Sequence, residues 1–282
     1  MIRQSVTLSF SRKTKVPKEL SRSARKRFGQ NFLTDGRVID AILASIHTSS
    51  NDSVVEIGPG HGAITDGLFK SGCDLTLIEL DRDLIPELLA RFVTKNPDRC
   101  KLIHQDVLKV NFSMLSRPLR IVGNLPYNIS TPLLFKLLEL RDQVQDIHVM
   151  LQKEVVDRLS AAPSVGAYGR LSVMIQAAAT VVPLIEVLPE SFSPAPKVKS
   201  GVVRIIPDSI KRDRILSMDD LRRVVRQAFS QRRKTLRNNF KDWISTDELV
   251  ALSINPQDRP ERLSVETYID LANYISQREN NF

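Results

Sequence analysis

The chain has 282 residues, of which 42% are hydrophobic and 26% charged, a composition typical of a globular protein with one large core and a small second domain. It excludes a fibrous or a wholly disordered chain. No apolar run approaches the roughly 18 residues of a membrane span, and the start of the chain lacks the apolar segment of a secretory signal peptide. We therefore expect a soluble, cytoplasmic protein with no membrane partner.

Positive charge is concentrated in two segments. Residues 1–27 carry a net charge of +8 and residues 211–241 another +8, so that a total of +9 leaves −7 for the rest of the chain. Because contacts with phosphates supply most of the non-specific affinity for nucleic acids, two basic segments beside an acidic body indicate a protein that binds a polyanion. A solvated surface remains an alternative for both segments, and a mitochondrial transit peptide for the first.

Apolar runs typical of strands alternate with helical patterns up to about residue 151. The predicted strands are residues 53–58, 74–80, 100–106, 119–124 and 146–151, and the predicted helices are residues 62–71, 82–93 and 130–140. Strands that alternate with helices at this spacing indicate βαβ units and a mostly parallel sheet. Right-handed crossovers bring the carboxyl ends of such strands to one edge, where ligands of open α/β sheets bind.

After Pro207 the patterns are helical only. Helices are predicted over residues 219–240, 246–252 and 264–277, and the first has an apolar face that includes Leu221, Val224 and Val225. Basic residues occupy its other faces and the residues that follow. We expect a small helical domain whose outward basic residues would contact a nucleic acid, namely Arg222, Arg223, Arg226, Arg232, Arg233, Lys234 and Arg237.

The segment Glu-Ile-Gly-Pro-Gly-His-Gly follows the first predicted strand. Gly58 and Gly60 allow the backbone to turn sharply and to approach a ligand, with main-chain amides near the start of a helix. Glu79, at the end of the second strand, suits a bidentate hydrogen bond to two ribose hydroxyls. A nicotinamide-dependent oxidoreductase has the same two requirements, so this segment leaves that enzyme class open.

The ends of the third and fourth strands favour a different chemistry. Asp106 ends the third strand, where its carboxylate can accept a hydrogen bond from an adenine amino group, and Asn124-Leu125-Pro126-Tyr127 ends the fourth. An adenine N6 is a poor nucleophile because its lone pair is delocalised into the ring. The Asn124 oxygen and a carbonyl near Leu125 would accept both amino hydrogens and direct the lone pair at a methyl donor. Pro126 would stiffen the turn, and Tyr127 would stack on an extruded base.

These motifs together resemble those of the S-adenosylmethionine-dependent adenine-N6 methyltransferases. Within that group, the stretches RKRFGQNFL, LQKEVVDRL, AYGRLSV and FSPAPKVKSGVVR resemble the bacterial small-subunit rRNA dimethyltransferases, which modify two adjacent adenines near the 3′ end of 16S rRNA. The resemblance extends from about Ala24 to Asn239. It implies a Rossmann-like class I methyltransferase sheet followed by a small all-helical domain.

The resemblance also implies roles for individual residues. The residues implied for the S-adenosyl-L-methionine site are Gln30, Asn31, Leu33, Glu56, Gly58, Gly60, Glu79, Asp106 and Asn124. The residues implied for the target adenine are Asn124, Leu125, Pro126 and Tyr127, with Phe192 covering the base opposite Tyr127. The four histidines have no metal-ligand spacing, so we predict no metal.

We therefore expect three regions and one principal function. Residues 1–22 would form a basic flexible tail, residues 23–207 the catalytic domain that binds S-adenosylmethionine, and residues 208–282 the helical RNA-binding domain. The expected enzyme is a monomer that dimethylates 16S rRNA in an immature small ribosomal subunit. Three alternatives remain: a 23S rRNA adenine methyltransferase of the macrolide-resistance type, a DNA adenine methyltransferase in which the basic helix reads the sequence, and a mainly non-catalytic assembly or transcription factor on the same scaffold.

Overall fold

The computed structural model of the protein describes residues 31–126 and 129–280. These residues form two compact units. The sheet unit comprises residues 31–156 and 182–207, and the helical unit comprises residues 157–181 and 208–280. The predicted tail, residues 1–22, lies outside the described residues.

The sheet unit alternates strands and helices as the sequence predicts. Its strands are β1 Phe32–Leu33, β2 Ser53–Ile57, β3 Asp74–Glu79, β4 Cys100–His104, β5 Leu119–Asn124, β6 Val144–Gln152, β7 Ala179–Val187, β8 Phe192–Ser193 and β9 Ser200–Pro207. Its helices are α1 Gly36–Ile46, α2 Thr65–Lys70, α3 Ile85–Leu88 and α4 Ser130–Glu139, followed by α5 Lys153–Ser160, which ends in the helical unit. All five predicted strands are present.

Seven strands form the main sheet in the order β4-β3-β2-β5-β6-β9-β7. The five predicted strands pair in parallel, and β9 pairs with β6 in the antiparallel direction. The sequence did not predict β7 or β9. Strand β7 contains Pro183, which cannot donate to a neighbouring strand, and this explains both its place at the edge of the sheet and its weak strand signal.

The register of the parallel strands brings four strand ends to one edge of the sheet. Ile57 at the end of β2 pairs with Ile78 of β3 and with Gly123 of β5, and Glu79 at the end of β3 pairs with His104 of β4. The interiors of β2, β3 and β5 are mostly buried apolar runs, as expected for strands covered on both faces, whereas β4 at the edge of the sheet is only partly buried. The chain segments that follow β2, β3, β4 and β5 are therefore neighbours.

A buried ion pair joins β5, β6 and α1. The Arg120 guanidinium donates from Nε and Nη2 to the two carboxylate oxygens of Asp146, each at 3.0 Å, and Arg204 donates to Asp146 at 2.9 Å. Arg120 also donates to the Ile46 carbonyl at 2.7 Å, which is one of the carbonyls left unpaired at the end of α1. The ion pair therefore fixes the C-terminal end of α1 to the sheet.

The surroundings of this ion pair decide the charges of its members. Burial alone would raise the pKa of Asp146, but the hydrogen bonds from Arg120 and the nearby positive charges lower it below its usual value. Burial lowers the pKa of His148, on the same strand, to about 4. At neutral pH the ion pair is therefore ionised beside an uncharged histidine.

The helical unit contains the C-terminal helices and residues 157–181, which include the end of α5 and the start of β7. Its helices are α6 Arg170–Gln176, α7 Ser209–Asp213, α8 Met218–Ala228, α9 Leu236–Phe240, α10 Thr246–Ala251 and α11 Val265–Asn280. No helix in residues 31–126 or 129–280 is long and apolar enough to cross a membrane.

The division into units differs from the predicted domain boundaries in one segment. The prediction assigned residues 157–181 to the catalytic domain, but they pack with the C-terminal helices. Tyr168 is fully buried, lies 6.4 Å from Phe229 between ring centroids, and donates to the Leu263 carbonyl at 2.9 Å. Phe229 in turn stacks on Tyr268. This aromatic cluster ties the segment to the helical unit.

The helix predicted over residues 219–240 is two helices, α8 and α9. The buried Asn239 side chain donates to the carbonyls of Ala228 and Gln231, at 2.6 and 3.3 Å, so it satisfies main-chain acceptors that a continuing helix would have used. The Gln227 side chain donates to the Asn239 carbonyl at 2.7 Å. Side-chain hydrogen bonds of this kind compete with the helix, and a sequence pattern does not reveal them.

We predict that Asp146→Asn strongly destabilises the protein. The substitution removes the fully buried carboxylate that Arg120 and Arg204 share and leaves Arg120 with the less buried carboxylate of Asp52, 3.2 Å from its Nη1. Breaking a buried ion pair in this way costs about 3–5 kcal/mol. The measurement is the free energy of unfolding from urea denaturation. Asp74→Asn is the matched control because Asp74 pairs with Arg99 at the surface, where ion pairs contribute less than about 1 kcal/mol. Equal losses in the two variants would contradict the prediction.

Candidate active site

A pocket of about 210 Å³ lies at the carboxyl edge of the parallel strands. Its walls come from the segments after β2, β3, β4 and β5, together with β1 and β8. The predicted site residues that line it are Asn31, Leu33, Glu56, Gly58, Gly60, Glu79, Asp106, Asn124, Leu125, Pro126 and Phe192. Gln30 and Tyr127 lie outside the described residues. The two sets of residues predicted for the donor and for the target base therefore share one pocket.

The glycine loop after β2 adopts a backbone that other residues rarely accept. Gly58, Gly60 and Gly62 have φ angles of +67°, +58° and +80°. A Cβ atom at Gly60 would lie 3.1 Å from the Phe32 ring, and one at Gly62 would lie 2.9 Å from the Phe92 ring. The loop thus requires glycine both for its conformation and for its close packing.

His61, for which the sequence predicted no role, lines the pocket and anchors this loop. Its Nδ1 lies 2.9 Å from a carboxylate oxygen of Glu87, and its ring lies 4.5 Å from the Phe32 ring. Arg91 donates to the His61 carbonyl and to Glu87, and also reaches Asp66 at 2.6 Å. These partners come from distant parts of the chain, so sequence spacing gives no sign of the contacts.

The Glu79 carboxylate is held by main-chain amides at the end of β3. Its Oε1 accepts from the amides of Leu80 and Asp81, each at 2.8 Å, and its Oε2 accepts from the Gly60 amide at 3.3 Å. Burial raises the pKa of Glu79, although these three hydrogen bonds oppose the increase. The loop and the strand end are thereby joined through one carboxylate.

Glu56 is a buried acid with an unused oxygen. Its side chain is 2% exposed, and Oε2 has no hydrogen-bond partner among the described residues. Burial raises the pKa of Glu56 to about 8, and the nearby charges of Glu79 and Asp66 contribute in the same direction. In the ligand-free protein the carboxyl group is therefore mostly protonated at neutral pH, and it lines the pocket as an uncharged polar group.

Within the part of the chain that the structure describes, one hydrogen bond to the main chain orients Asn124. The residue ends β5, and its side-chain Nδ2 donates to the Asn31 carbonyl at 3.1 Å. The amide oxygen of Asn124 is consequently the atom available to accept a hydrogen bond from a bound group. The preceding Gly123 allows the strands to approach closely, because a Cβ atom there would lie 2.6 Å from the Ile57 carbonyl oxygen.

Asp106 begins the turn that follows β4. Its Oδ1 accepts from the Leu108 amide at 3.0 Å and caps a short 3₁₀ turn, Val107–Lys109. Asp106 and Val107 both line the pocket. A carboxylate and the adjacent main chain are thus presented to a ligand by a turn rather than by the strand itself.

Phe192 belongs to a small two-stranded sheet formed by β1 and β8. Leu33 pairs with Phe192, and the Thr34 amide donates to the Ser191 carbonyl at 2.8 Å. Phe192 is 6% exposed and lies in the hydrophobic core as well as in the pocket wall. The small sheet brings a segment near the start of the described chain and a segment near residue 192 to the same pocket.

Comparison with known proteins identifies the family. The match to the ribosomal RNA adenine dimethylase family covers residues 21–277. The chain belongs to this family. Two relatives share the description "Ribosomal RNA small subunit methyltransferase A". The relative from Hahella chejuensis is 51% identical over 259 residues, which cover 91% of this chain and 94% of the relative. The relative from Yersinia pseudotuberculosis serotype O:1b is 50% identical over 257 residues, which cover 90% of this chain and 94% of the relative.

Solved structures agree with this family assignment. A dimethyladenosine transferase from Plasmodium falciparum superposes with a TM-score of 0.79 at 25% identity, covering 88% of this chain and 98% of the other. The 23S rRNA methyltransferase ErmE has the same fold, with a TM-score of 0.68 at 21% identity over 88% of this chain and all of the other. The predicted family and fold class are confirmed.

In this dimethylase the predicted RNA-binding residues of the helical unit fall into two groups. Arg222 pairs with Asp219, Arg223 pairs with Asp220 and Glu279, and Arg232 donates to the carbonyls of Gly166 and Tyr168. The side chains of the second group make no ion pair or hydrogen bond within the described residues, and the residues are exposed; they are Arg226, Arg233, Lys234 and Arg237. The second group is the better candidate for phosphate contacts.

We predict that Glu56→Gln changes how the stability of the ligand-free dimethylase depends on pH. The folded-state pKa of Glu56 is raised from 4.5 to about 8, so the folded protein binds more protons than the unfolded chain between these values. Wild-type stability should therefore fall as the pH rises through this range, by up to about 1.4 kcal/mol per pH unit from this group. Glu56→Gln removes that loss.

The measurement is the unfolding temperature of the wild type and of Glu56→Gln at intervals from pH 5 to pH 8.5. The advantage of the variant should increase with pH and level off above about pH 8. Glu139→Gln is the control because Glu139 is exposed on α4. Parallel pH profiles for the wild type and Glu56→Gln would show that burial does not perturb this carboxyl group.

Proposed function

We propose that this chain transfers methyl groups from S-adenosylmethionine to N6 of two adjacent adenines in the 3′-terminal hairpin loop of 16S rRNA. The relatives named as small-subunit rRNA methyltransferases support the ribosomal substrate, since half of their residues are identical to this chain over nine tenths of its length. The observation that carries the proposal is Asn124 at the end of β5, which lines the pocket while its Nδ2 donates to the Asn31 carbonyl, so that its side-chain oxygen is left to accept a hydrogen bond. The expected setting is an immature small subunit in the cytoplasm, where the protein acts as a monomer.

The polarity of the pocket suits the methyl donor. Its walls are mainly apolar, and a few polar groups converge on it from the strand ends, as in nucleoside sites generally. Glu79 and Asp106 are carboxyl groups at adjacent strand ends, suited to ribose hydroxyls and to an adenine amino group respectively. When bound, S-adenosylmethionine supplies an electrophilic methyl group on its sulfonium.

The residues of this chain would act on the target adenine mainly by positioning. Asn124 would accept one amino hydrogen through its side-chain oxygen, and a main-chain carbonyl near Leu125 would accept the other. Two acceptors held in place draw the amino group out of the ring plane, so that its lone pair becomes available for attack. Pro126 restricts the turn that holds these acceptors. Tyr127 and Phe192 would enclose the base from its two faces.

The second methylation requires a different set of hydrogen bonds. After one transfer the exocyclic nitrogen carries a methyl group and has one hydrogen left to donate. Asn124 and the neighbouring carbonyl therefore cannot bind the amine and the methylamine in the same way. No strong base is needed at either round, because the alkylated nitrogen is acidic enough to release its proton to water.

Two other functions would use the same scaffold. A 23S rRNA methyltransferase has the fold of this chain, but at 21% identity the likeness extends to the fold alone. A non-catalytic assembly factor would have no need for Asn124 with its oxygen available in the pocket. The small-subunit methyltransferase is therefore the function that we propose.

We predict that the purified protein, with S-adenosylmethionine, forms N6,N6-dimethyladenosine in small subunits that lack this modification. The measurement is nucleoside mass spectrometry with the modified position mapped on the 16S rRNA, and bare 16S and 23S rRNA serve as controls. Asn124→Ala should lower the transfer rate by about 10²–10³-fold, the usual effect of removing a group that acts at the reacting atom. Its binding of S-adenosylhomocysteine should partly survive.

Each outcome of this experiment has a definite meaning. Product restricted to 23S rRNA would reassign the protein to the resistance type. Binding of the donor and of subunits without any methylation would favour an assembly factor. Wild-type turnover in Asn124→Ala would contradict the role of that side chain.

We also predict that the exposed basic residues of the helical unit bind RNA phosphates. Replacing Arg233, Lys234 and Arg237 together by Gln should weaken binding of the subunit RNA. It should also reduce the slope of log K against log salt concentration by about 2 to 3, because each phosphate contact contributes about 0.7–0.9 to that slope.

The control for this prediction removes three charges from the sheet unit. Lys95, Lys101 and Arg117 are exposed there and are also replaced by Gln. If both triple variants reduced the slope equally, RNA binding would depend on net charge alone and the helical unit would have no particular part in it.

A further inference from the structure

Lys136 on α4 is surrounded by main-chain carbonyls of the turn that follows Asp106. Its Nζ lies 2.6 Å from the Leu108 oxygen, 2.8 Å from the Val110 oxygen and 3.4 Å from the Val107 oxygen. An ammonium group has three N–H donors and no acceptor, so three converging carbonyls use its whole hydrogen-bonding capacity. The ammonium therefore fixes the turn at three points.

The electrostatics of the turn favour a cation at this place. Val107–Lys109 is a short 3₁₀ turn whose carbonyls point toward its C-terminal end, and cations are stabilised at such ends. The Nζ atom of Lys136 also lies 5.5 Å from the centroid of the Phe112 ring, within the range of a cation–π contact. Phe112 is itself 1% exposed, so this side of the ammonium is fixed by the core.

The helix that carries Lys136 is a rigid support. Leu133, Leu134 and Leu137 on α4 are fully buried, and they fix the helix against the sheet unit. Helix α4 begins at Ser130, close behind Pro126 in the chain, and Ile129 just before it lines the pocket. Lys136 therefore links α4, which follows the pocket residues Pro126 and Ile129, to the turn after Asp106, which also lines the pocket.

We propose that Lys136 is a positioning residue for the adenine ring of the methyl donor. It holds the turn that presents Asp106 and Val107 to the pocket, so that the Asp106 carboxylate stays where the adenine amino group is bound. This inference rests on the proposed function, because it takes the donor to be an adenine nucleoside bound at Asp106. It assigns Lys136 no contact with the donor itself.

The test compares two ligands that differ at the 6-position and at N1 of the purine ring. S-adenosylhomocysteine has a 6-amino group and an acceptor at N1, and S-inosylhomocysteine has a 6-carbonyl oxygen and an N1–H donor. The Kd of each ligand is measured by calorimetry for the wild type and for Lys136→Met, which keeps an unbranched side chain and removes the charge. Lys136→Met should raise the Kd for S-adenosylhomocysteine by about tenfold, as expected when charged hydrogen bonds are lost. The Kd for S-inosylhomocysteine should rise much less.

A kinetic measurement complements the binding data. With subunits as substrate, Lys136→Met should raise the KM for S-adenosylmethionine while leaving kcat at saturating donor within about twofold of the wild type, because binding of the adenine ring is weakened equally in the ground state and in the transition state. Lys109→Met is the matched control. Lys109 is exposed on the same turn, so its replacement removes the same charge without removing the three hydrogen bonds.

The outcomes separate this inference from the proposed function. One outcome would overturn the role of Lys136 alone. In it the wild type binds S-adenosylhomocysteine more tightly than S-inosylhomocysteine, but Lys136→Met loses affinity for both ligands equally or loses none. An equal effect of Lys109→Met would overturn it too, since charge rather than position would then be responsible. A wild type that binds neither ligand, or both equally, would contradict the donor site at Asp106 and the role of Lys136 with it.

Discussion

The parallel register of β2, β3, β4 and β5 is the constraint on which the site depends. Each strand contributes little by itself: a glycine loop, one carboxylate, a capped turn and an asparagine. Because the strands end at the same edge, these groups line one pocket of about 210 Å³. A shift of β3 by a single residue would turn every side chain of that strand to the other face and separate Glu79 from the glycine loop that it binds.

The pocket is stabilised mostly by contacts between the main chain and side chains of other segments. The Glu79 carboxylate accepts from main-chain amides, Arg91 donates to the His61 carbonyl, and Lys136 donates to the carbonyls of the turn after Asp106. Only Glu56 keeps a buried oxygen without a partner among the described residues of this pocket. The arrangement fixes the loops before any ligand is bound, which lowers the entropy that binding must overcome.

The sequence was most informative where chemistry and periodicity coincide. The five parallel strands, the glycine loop and the residues at the strand ends were all predicted, because apolar runs and rare residue types mark them directly. The break between α8 and α9 was missed because it depends on the Asn239 side chain, and β7 was missed because Pro183 weakens its pattern. The contacts of His61 and Lys136 join segments at least 26 residues apart, and no local pattern contains them.

The hydrogen bond from Asn124 to the Asn31 carbonyl decides the polarity of the site. A carboxamide has an acceptor at one end and a donor at the other, and a half turn about its last bond would exchange them. With the amide reversed, two N–H groups would face an adenine amino group and repel it. The atom that prevents this is a main-chain carbonyl, which every amino acid has. The orientation of the Asn124 amide therefore depends on the path of the backbone at position 31. A substitution at position 31 can preserve this orientation, because the carbonyl remains. A displacement of the adjacent strand β1 would move the carbonyl and lose the orientation.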